Sequence, residues 1–160
     1  MFNLTIMNIG LSTEQIKVST DNLSTLLADE FSLYTKARNY HWNVTSNNFT
    51  EFHKLFQDQY EQLAQIKDQV AERIRSLGEK ALGSMHEFIA FSTLEEDTQM
   101  HTSDKEMVGN LLKDHESIII SLRSMIEQIE PNKDVSTVDF LTSVMEEHEK
   151  MAWILRSYNF

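Results

Sequence analysis

The 160-residue chain contains no cysteine, one proline and only four glycines. Without cysteine it has no disulfide framework, thiol nucleophile or thiolate metal site. So few turn-forming residues disfavour a β-sandwich or barrel, which needs many tight turns. No apolar run reaches the roughly 18 residues of a membrane span, and the first residues show no basic, then apolar, secretory signal. We therefore expect a cytoplasmic protein with no membrane partner.

Basic residues are also scarce. The chain has 14 Lys and Arg against 25 Asp and Glu, which gives a formal net charge of −11. This balance disfavours non-specific binding to DNA or anionic lipid and favours cations as partners. The hydrophobic content of 41% is enough for a core and too high for a disordered acidic tail.

Four long segments show the 3-and-4 spacing of apolar residues that predicts amphipathic helices. The first runs from about Thr13 to Tyr40 and the second from about Phe49 to Leu77. The third begins at a capping box of Ser103 and Glu106 and ends at about Ile129, and the fourth begins near Ser136 or Thr137. Ser12 and Gln15 predict a capping box for the first of them, and Gly78 a stop for the second. In the less regular residues 79–101, Met85, Phe88, Ile89 and Phe91 could form a short helix. The pattern predicts one all-α domain over residues 1–160, a four-helix bundle, with residues 1–11 as a short flexible N-terminus.

Candidate metal ligands cluster around the second helix. His41 ends the first helix, and His53, Gln57, Asp68 and Glu72 follow on the second. His53 with Gln57, and Asp68 with Glu72, are i,i+4 pairs that each share a helix face. The two pairs differ by only about 60° around the helix but by about 22 Å along it, so one metal ion cannot reach both.

Two explanations follow from this separation. Either the pairs act separately, or two copies of the helix pack antiparallel around a two-fold axis. His53 with Glu72 and Gln57 with Asp68 both have position numbers that sum to 125, which puts the axis between Gln62 and Leu63. Any two i,i+4 pairs on one helix satisfy some such sum. A solvated face with satisfied histidines therefore stays open as the alternative.

Several local motifs resemble one known family. They are Asn39 to Thr45 (NYHWNVT), Asn48-Phe49, Leu55-Phe56, Gln59-Tyr60, Ala71 to Gly78 (AERIRSLG) and Glu147 to Arg156 (EHEKMAWILR). Together they resemble the Dps family of ferritin-like mini-ferritins, over essentially the whole chain. The resemblance implies a ferritin-like four-helix bundle with a short extra helix between the second and third long helices. It also implies a hollow homo-oligomer, a dodecamer, that stores ferric oxide and has ferroxidase sites between subunits at the two-fold axis.

The resemblance also assigns residues. His41, His53, Asp68 and Glu72 match the family's metal-binding and catalytic positions, and Gln57 stands where a carboxylate ligand is usual. A neutral amide there removes one negative charge from the iron site.

Two further positions have an alternative interpretation. Trp42 matches the family's aromatic residue beside the iron, although a core aromatic would explain it too. Asp139 is the best match for an acidic pore residue, but an aspartate that stabilises the helix dipole explains it equally well.

The predicted function is ferroxidase and iron-storage activity that protects against oxidative damage, with Fe(II) oxidised by hydrogen peroxide or dioxygen. The site is expected to hold two irons, or one iron and a weak second one, and Zn²⁺ could substitute. The alternative is a non-enzymatic metal-sequestering cage whose ferroxidase activity is weakened by Gln57. A DNA-compacting protein is a more distant alternative, because Lys17 is the only basic residue among the first twenty and Arg156 the only one among the last five.

The remaining histidines suggest no site. No histidine has a glutamate three residues before it, which disfavours the intrachain di-iron site of larger ferritins. The run from Glu146 to Glu149 is expected to be solvated. His86, His101 and His115 have no matched partners, so structural or exposed roles are expected.

Overall fold

The computed structural model describes residues 8–99 and 103–158, and within them it contains helices and no strand. The helices are α1 (Thr13–Asn43), α2 (Phe49–Ser76), α3 (Met85–Phe91), α4 (Asp104–Ile129) and α5 (Val135–Arg156), with a 3₁₀ turn at Glu130–Asn132. This confirms four long helices and a short one between the second and third. Residues 1–7 of the expected N-terminal segment, and His101, lie outside the described residues. None of the described helices combines the length and apolar character needed to cross a membrane.

Local sequence signals determine where the helices begin. The predicted capping boxes are present at Ser12 with Gln15 and at Ser103 with Glu106. In each, the serine side chain accepts from a backbone N–H that has no partner within the helix, and the longer side chain accepts from the serine N–H. α5 begins earlier than predicted, at Val135, because Asp134 and not Ser136 or Thr137 is its N-cap.

The ends of the helices follow the same local chemistry. α2 ends at Ser76, and Gly78 follows with φ +90°, a conformation that costs glycine little. α1 continues to Asn43, three residues beyond the predicted end at Tyr40. The loop of residues 44–48 is short, so α1 and α2 form a helical hairpin. The hairpin brings the end of α1 beside the start of α2.

The core lies between the four long helices and consists mainly of aliphatic side chains. The largest fully buried apolar residues are Leu23, Leu26, Leu33, Tyr40, Phe56, Leu63, Ile74, Leu77, Leu111, Ile118, Leu122 and Ile129. α3 covers one side, where the Phe88 ring stacks on Phe31 with centroids 4.1 Å apart. Of the apolar residues predicted for the short helix only Phe88 is buried, while Met85, Ile89 and Phe91 are exposed.

Candidate metal site

His41 and His53 form a closely packed pair at the α1–α2 hairpin. Their rings stack with centroids 3.8 Å apart and an interplanar angle of 24°. The Nδ1 of each ring lies 2.8 Å from the backbone carbonyl oxygen of the other residue. A carbonyl oxygen can only accept, so each Nδ1 donates its proton, and in the neutral ring the lone pair is left on Nε2. A hydrogen bond that fixes the tautomer in this way is typical of metal-binding histidines.

The position of His41 explains why this lock can form. His41 lies in the last turn of α1, where the backbone carbonyl groups receive no hydrogen bond from an N–H group of the helix. Its carbonyl therefore accepts from the His53 ring, and the pair satisfies a helix end as well as two imidazoles. The Nδ1 contacts satisfy one nitrogen of each ring, but His41 is buried, so a solvated face does not describe both histidines. Metal binding by the pair stays a prediction.

Aromatic side chains enclose the pair on both sides. The Phe49 ring stacks on His53 at 5.0 Å, and the Tyr60 ring meets His41 edge-on at 5.2 Å. Trp42 is 65% exposed, so it is not a core aromatic in this chain. It lies beside the Arg38 guanidinium, whose central carbon is 4.9 Å from the Trp42 ring and 4.5 Å from the Tyr60 ring.

A second cation belongs to the same surface. The Lys67 ammonium lies 3.5 Å from the centroid of the Tyr34 ring. Burial, and then the nearby Arg38 charge, lowers the pKa of Lys67. Two cations on aromatic faces therefore lie between the histidine pair and the carboxylates further along α2.

The carboxylate half of the predicted site is on the exposed side of α2. Asp68 and Glu72 are both exposed, and α2 is one continuous helix of 28 residues, Phe49–Ser76, that contains His53 as well as both carboxylates. At about 1.5 Å per residue the histidine and carboxylate halves stay roughly 22 Å apart. Accordingly, residues 8–99 and 103–158 contain no group of three or more His, Asp or Glu placed to hold a metal ion. The structure thus brings His41 and His53 together and keeps Asp68 and Glu72 away from them; their meeting across a two-fold axis stays a prediction.

Gln57 and its neighbours on α2 are engaged with one another. The Gln57 amide nitrogen donates to Glu61 Oε1 over 2.7 Å, so its carbonyl oxygen is left for another contact. Asp58, the carboxylate next to Gln57, pairs instead with Lys54 on the exposed face. Glu61 was not predicted as a site residue. It lies one turn after Gln57, where it places a carboxylate beside the position that lacks one.

The other sequence candidates have different surroundings. Asp139 is exposed on α5, and Asp134 performs the capping role at the start of that helix. The pore interpretation of Asp139 stays a prediction.

His115 and His148 are completely buried, although His148 lies within the run that was expected to be solvated. Their i,i+3 and i,i+4 spacing to the core residues Val144, Met151, Leu111 and Ile118 was the signal that could have revealed this.

Comparison with known proteins shows that this chain resembles ferritin-like proteins. A ferritin-like domain model matches residues 20–159. A low temperature-induced protein of Nostoc, itself uncharacterized, is 41% identical over 153 residues, which cover 95% of this chain and 86% of that protein. DNA protection during starvation protein 2 of Bacillus anthracis is 33% identical over 136 residues, 85% of this chain and 92% of that protein.

Solved structures agree. The Dps protein of Vibrio cholerae, described as a member of the ferritin-like diiron-carboxylate superfamily, superimposes with a TM-score of 0.90 at 26% identity and covers 98% of each chain. The helical bundle, the domain match and these relatives lead to one conclusion: the chain belongs to the Dps family of ferritin-like proteins.

Proposed function

We propose that this protein oxidises Fe(II) and stores the ferric product, and so protects its cell against oxidative damage. Membership in a ferritin-like family supports iron storage and oxidative protection in general. The observation that carries the specific activity is the reciprocal lock of His41 and His53, which prepares two imidazole Nε2 atoms for a cation. The family relation supports iron and gives no support to Zn²⁺.

The proposed site is completed by a second copy of the chain. With α2 of two chains antiparallel, His53 faces the partner's Glu72 and Gln57 faces the partner's Asp68. Imidazole and carboxylate together suit Fe²⁺, a cation that accepts both kinds of ligand. Each pair of chains would hold two equivalent sites. Chains of this family are expected to assemble further, into a dodecamer.

The proposed chemistry balances with hydrogen peroxide as the oxidant. One peroxide takes one electron from each of two Fe²⁺ and, with two protons, forms two Fe³⁺ and two waters. No hydroxyl radical is released when both electrons arrive from the same site. In this proposal Glu72 bridges two iron positions, and His41, His53 and Asp68 are the remaining ligands. Dioxygen is the alternative oxidant.

One observation favours a second candidate function. Gln57 is neutral and its amide nitrogen already binds Glu61, so the site has one carboxylate fewer than the family pattern implies. With weaker iron binding, the oligomer would sequester metal without oxidising it. Asp139 is the proposed pore residue in either case.

Anaerobic loading with Fe²⁺ followed by stoichiometric peroxide separates the two functions. Ferroxidase activity predicts rapid formation of ferric iron at sub-saturating loading, with one peroxide consumed for two Fe²⁺. A His41→Ala, His53→Ala double variant should lose that phase while an exposed control, His86→Ala, retains it. Ferric formation no faster than in buffer would leave the sequestering cage as the function.

A further inference from the structure

Four polar side chains, one from each long helix, form a continuous hydrogen-bonded chain through the centre of the bundle. They are Glu30 on α1, Gln59 on α2, His115 on α4 and His148 on α5. Glu30 and both histidines have no exposed surface, and Gln59 is 2% exposed. We call these four residues the core chain. It lies apart from the proposed iron ligands, which are on the outer part of α2 and at the end of α1.

The core chain has three links. Glu30 Oε1 lies 2.6 Å from His148 Nε2, His148 Nδ1 lies 2.9 Å from His115 Nδ1, and His115 Nε2 lies 2.8 Å from Gln59 Oε1. Each link needs one hydrogen. The Gln59 oxygen can only accept, so His115 Nε2 donates there. The two Nδ1 atoms face each other, so one of them must carry a hydrogen.

Counting hydrogens gives the protonation state of the whole core chain. An ionised Glu30 and two neutral imidazoles carry two hydrogens, one fewer than the three links require. The third hydrogen is bound either to Glu30, which is then a neutral carboxyl group, or to His148, which is then an imidazolium beside the Glu30 carboxylate. In both distributions the core chain is uncharged overall, which is the inexpensive condition for a buried group.

Two further observations agree with a proton on this chain. Glu30 Oε2 is buried and has no hydrogen-bond partner among residues 8–99 and 103–158, which costs less for the carbonyl oxygen of a neutral acid than for a carboxylate oxygen. Burial, followed by the proximity of His148, holds the pKa of His115 well below its usual range. His115 therefore stays neutral, and the third hydrogen belongs to Glu30 and His148.

Among the described residues, no charged group outside the core chain pairs with it. The titratable groups on the core chain itself are Glu30 from α1, His115 from α4 and His148 from α5, while α2 contributes only an amide. The other buried ion pair between α1 and α4, Lys36 with Asp114, is neutralised internally. A deprotonated core chain would have an unpaired negative charge in the core.

We propose that the core chain of the folded bundle contains one hydrogen more than the same four residues carry in the unfolded chain above about pH 7, so that folding and proton binding are coupled. Free glutamate and histidine titrate near about 4.3 and 6.5. Between about pH 7 and the pH at which the folded chain releases its proton, the folded state binds one proton more than the unfolded state. Stability then falls as pH rises.

Proton release on unfolding tests this directly. The assembled protein is unfolded with urea in weakly buffered solution at about pH 8, and the protons released are counted with an indicator dye. In Glu30→Gln the amide donates to His148 Nε2 and satisfies the chain without an ionisable group. The wild type should therefore release about one proton per chain more than Glu30→Gln. Glu127→Gln, a change at an exposed glutamate, should release the wild-type number.

Several results would overturn the proposal. Equal proton release from the wild type and Glu30→Gln would show that the core chain holds no extra proton. Failure of Glu30→Gln to fold would contradict it too, because the amide supplies every link. Glu30→Leu should be less stable than Glu30→Gln, since it leaves His148 Nε2 without a partner, and equal stability would contradict the hydrogen count. A stoichiometric metal ion released on unfolding only by the wild type would mean that a cation, not a proton, joins the two Nδ1 atoms.

Discussion

His41 and His53 each donate from Nδ1 to the other's backbone carbonyl at 2.8 Å, with their rings stacked. This mutual lock fixes the orientation of both imidazoles where the end of α1 meets the start of α2. Preorganised ligands lose little conformational freedom on binding. The lock therefore prepares the histidine half of the proposed site within one chain, whereas the carboxylates that would complete that site would come from the partner chain.

Restoring a carboxylate at position 57 should strengthen iron binding. In Gln57→Glu an anionic ligand replaces a neutral one, so we expect the Kd for Fe²⁺ to fall by about tenfold or more, since changes in outer-shell partners alone alter metal affinity by about 10–100-fold. Anaerobic titration measures it. Gln65→Glu adds the same charge at an exposed position eight residues along α2 and is the matched control. Unchanged affinity, or an equal gain in both variants, would show that position 57 is not a ligand.

The buried pair of Lys36 and Asp114 should be sensitive to removal of one partner. Lys36 Nζ also donates to the Glu95 carbonyl over 2.8 Å, which ties the loop after α3 to the core. Lys36→Met leaves a buried aspartate unpaired and should lower the free energy of unfolding by about 3–5 kcal/mol. Chemical denaturation measures this. In the double variant Lys36→Met, Asp114→Leu most of the loss should be recovered, and a double variant as unstable as the single one would mean that the pair is not the cause.

Asp134 should make the fold sensitive to acid. Burial alone raises the pKa of this carboxyl, but hydrogen bonds from Thr137 and Ser19 and the Arg73 charge outweigh it, and the pKa is lowered overall. Because the pKa of Asp134 is lowered in the folded state, the ionised carboxylate stabilises the fold at pH values above the ordinary aspartate pKa of about 3.9. This contribution is lost as the pH falls through the pKa of Asp134 in the folded state.

Asp134→Ala should accordingly cost about 1–3 kcal/mol at neutral pH, through loss of the α5 cap and of a buried acceptor, and the difference from wild type should shrink in acid. Thermal unfolding between about pH 2 and 7 measures both effects. Asp139→Ala, at an exposed position on the same helix, should change stability little. A pH-independent loss in Asp134→Ala would contradict the assigned pKa direction.

The fold could be predicted from the sequence more completely than the site. The capping boxes at Ser12 and Ser103 depend only on residues three apart, so local spacing was sufficient to predict them. The start of α5 was misplaced because aspartate, serine and threonine are all good N-caps, and packing of Asp134 against Ser19 and Arg73 from other helices favours it. A choice of that kind depends on contacts that are remote in sequence.

The buried polar residues show a second limit of sequence patterns. Glutamate is almost never fully buried unless it is paired, and Glu30 is acceptable in the core because it binds His148, which in turn binds His115. The two halves of the proposed iron site illustrate a third limit. Motif spacing identified His53 and Glu72 as candidates, but whether they meet depends on a second chain.

The protein is expected not to bind DNA at moderate salt. With a net charge of −11 per chain, its surface should repel phosphate. A gel shift with supercoiled plasmid should show no retardation at about 150 mM salt, an ionic strength at which the Debye length is about 8 Å. Retardation at that salt would contradict the prediction.

Complementation between inactive chains tests the two-chain site most directly. One variant lacks the histidines (His41→Ala, His53→Ala) and the other lacks the carboxylates (Asp68→Ala, Glu72→Ala). Each alone should show no rapid iron oxidation. When the two are refolded or co-expressed together at equal amounts, half of the chain pairs are mixed and each mixed pair contains one intact site. We therefore predict recovery of about a quarter of the wild-type ferroxidase activity. No recovery in assemblies shown to contain both chains would contradict a site shared across the two-fold axis.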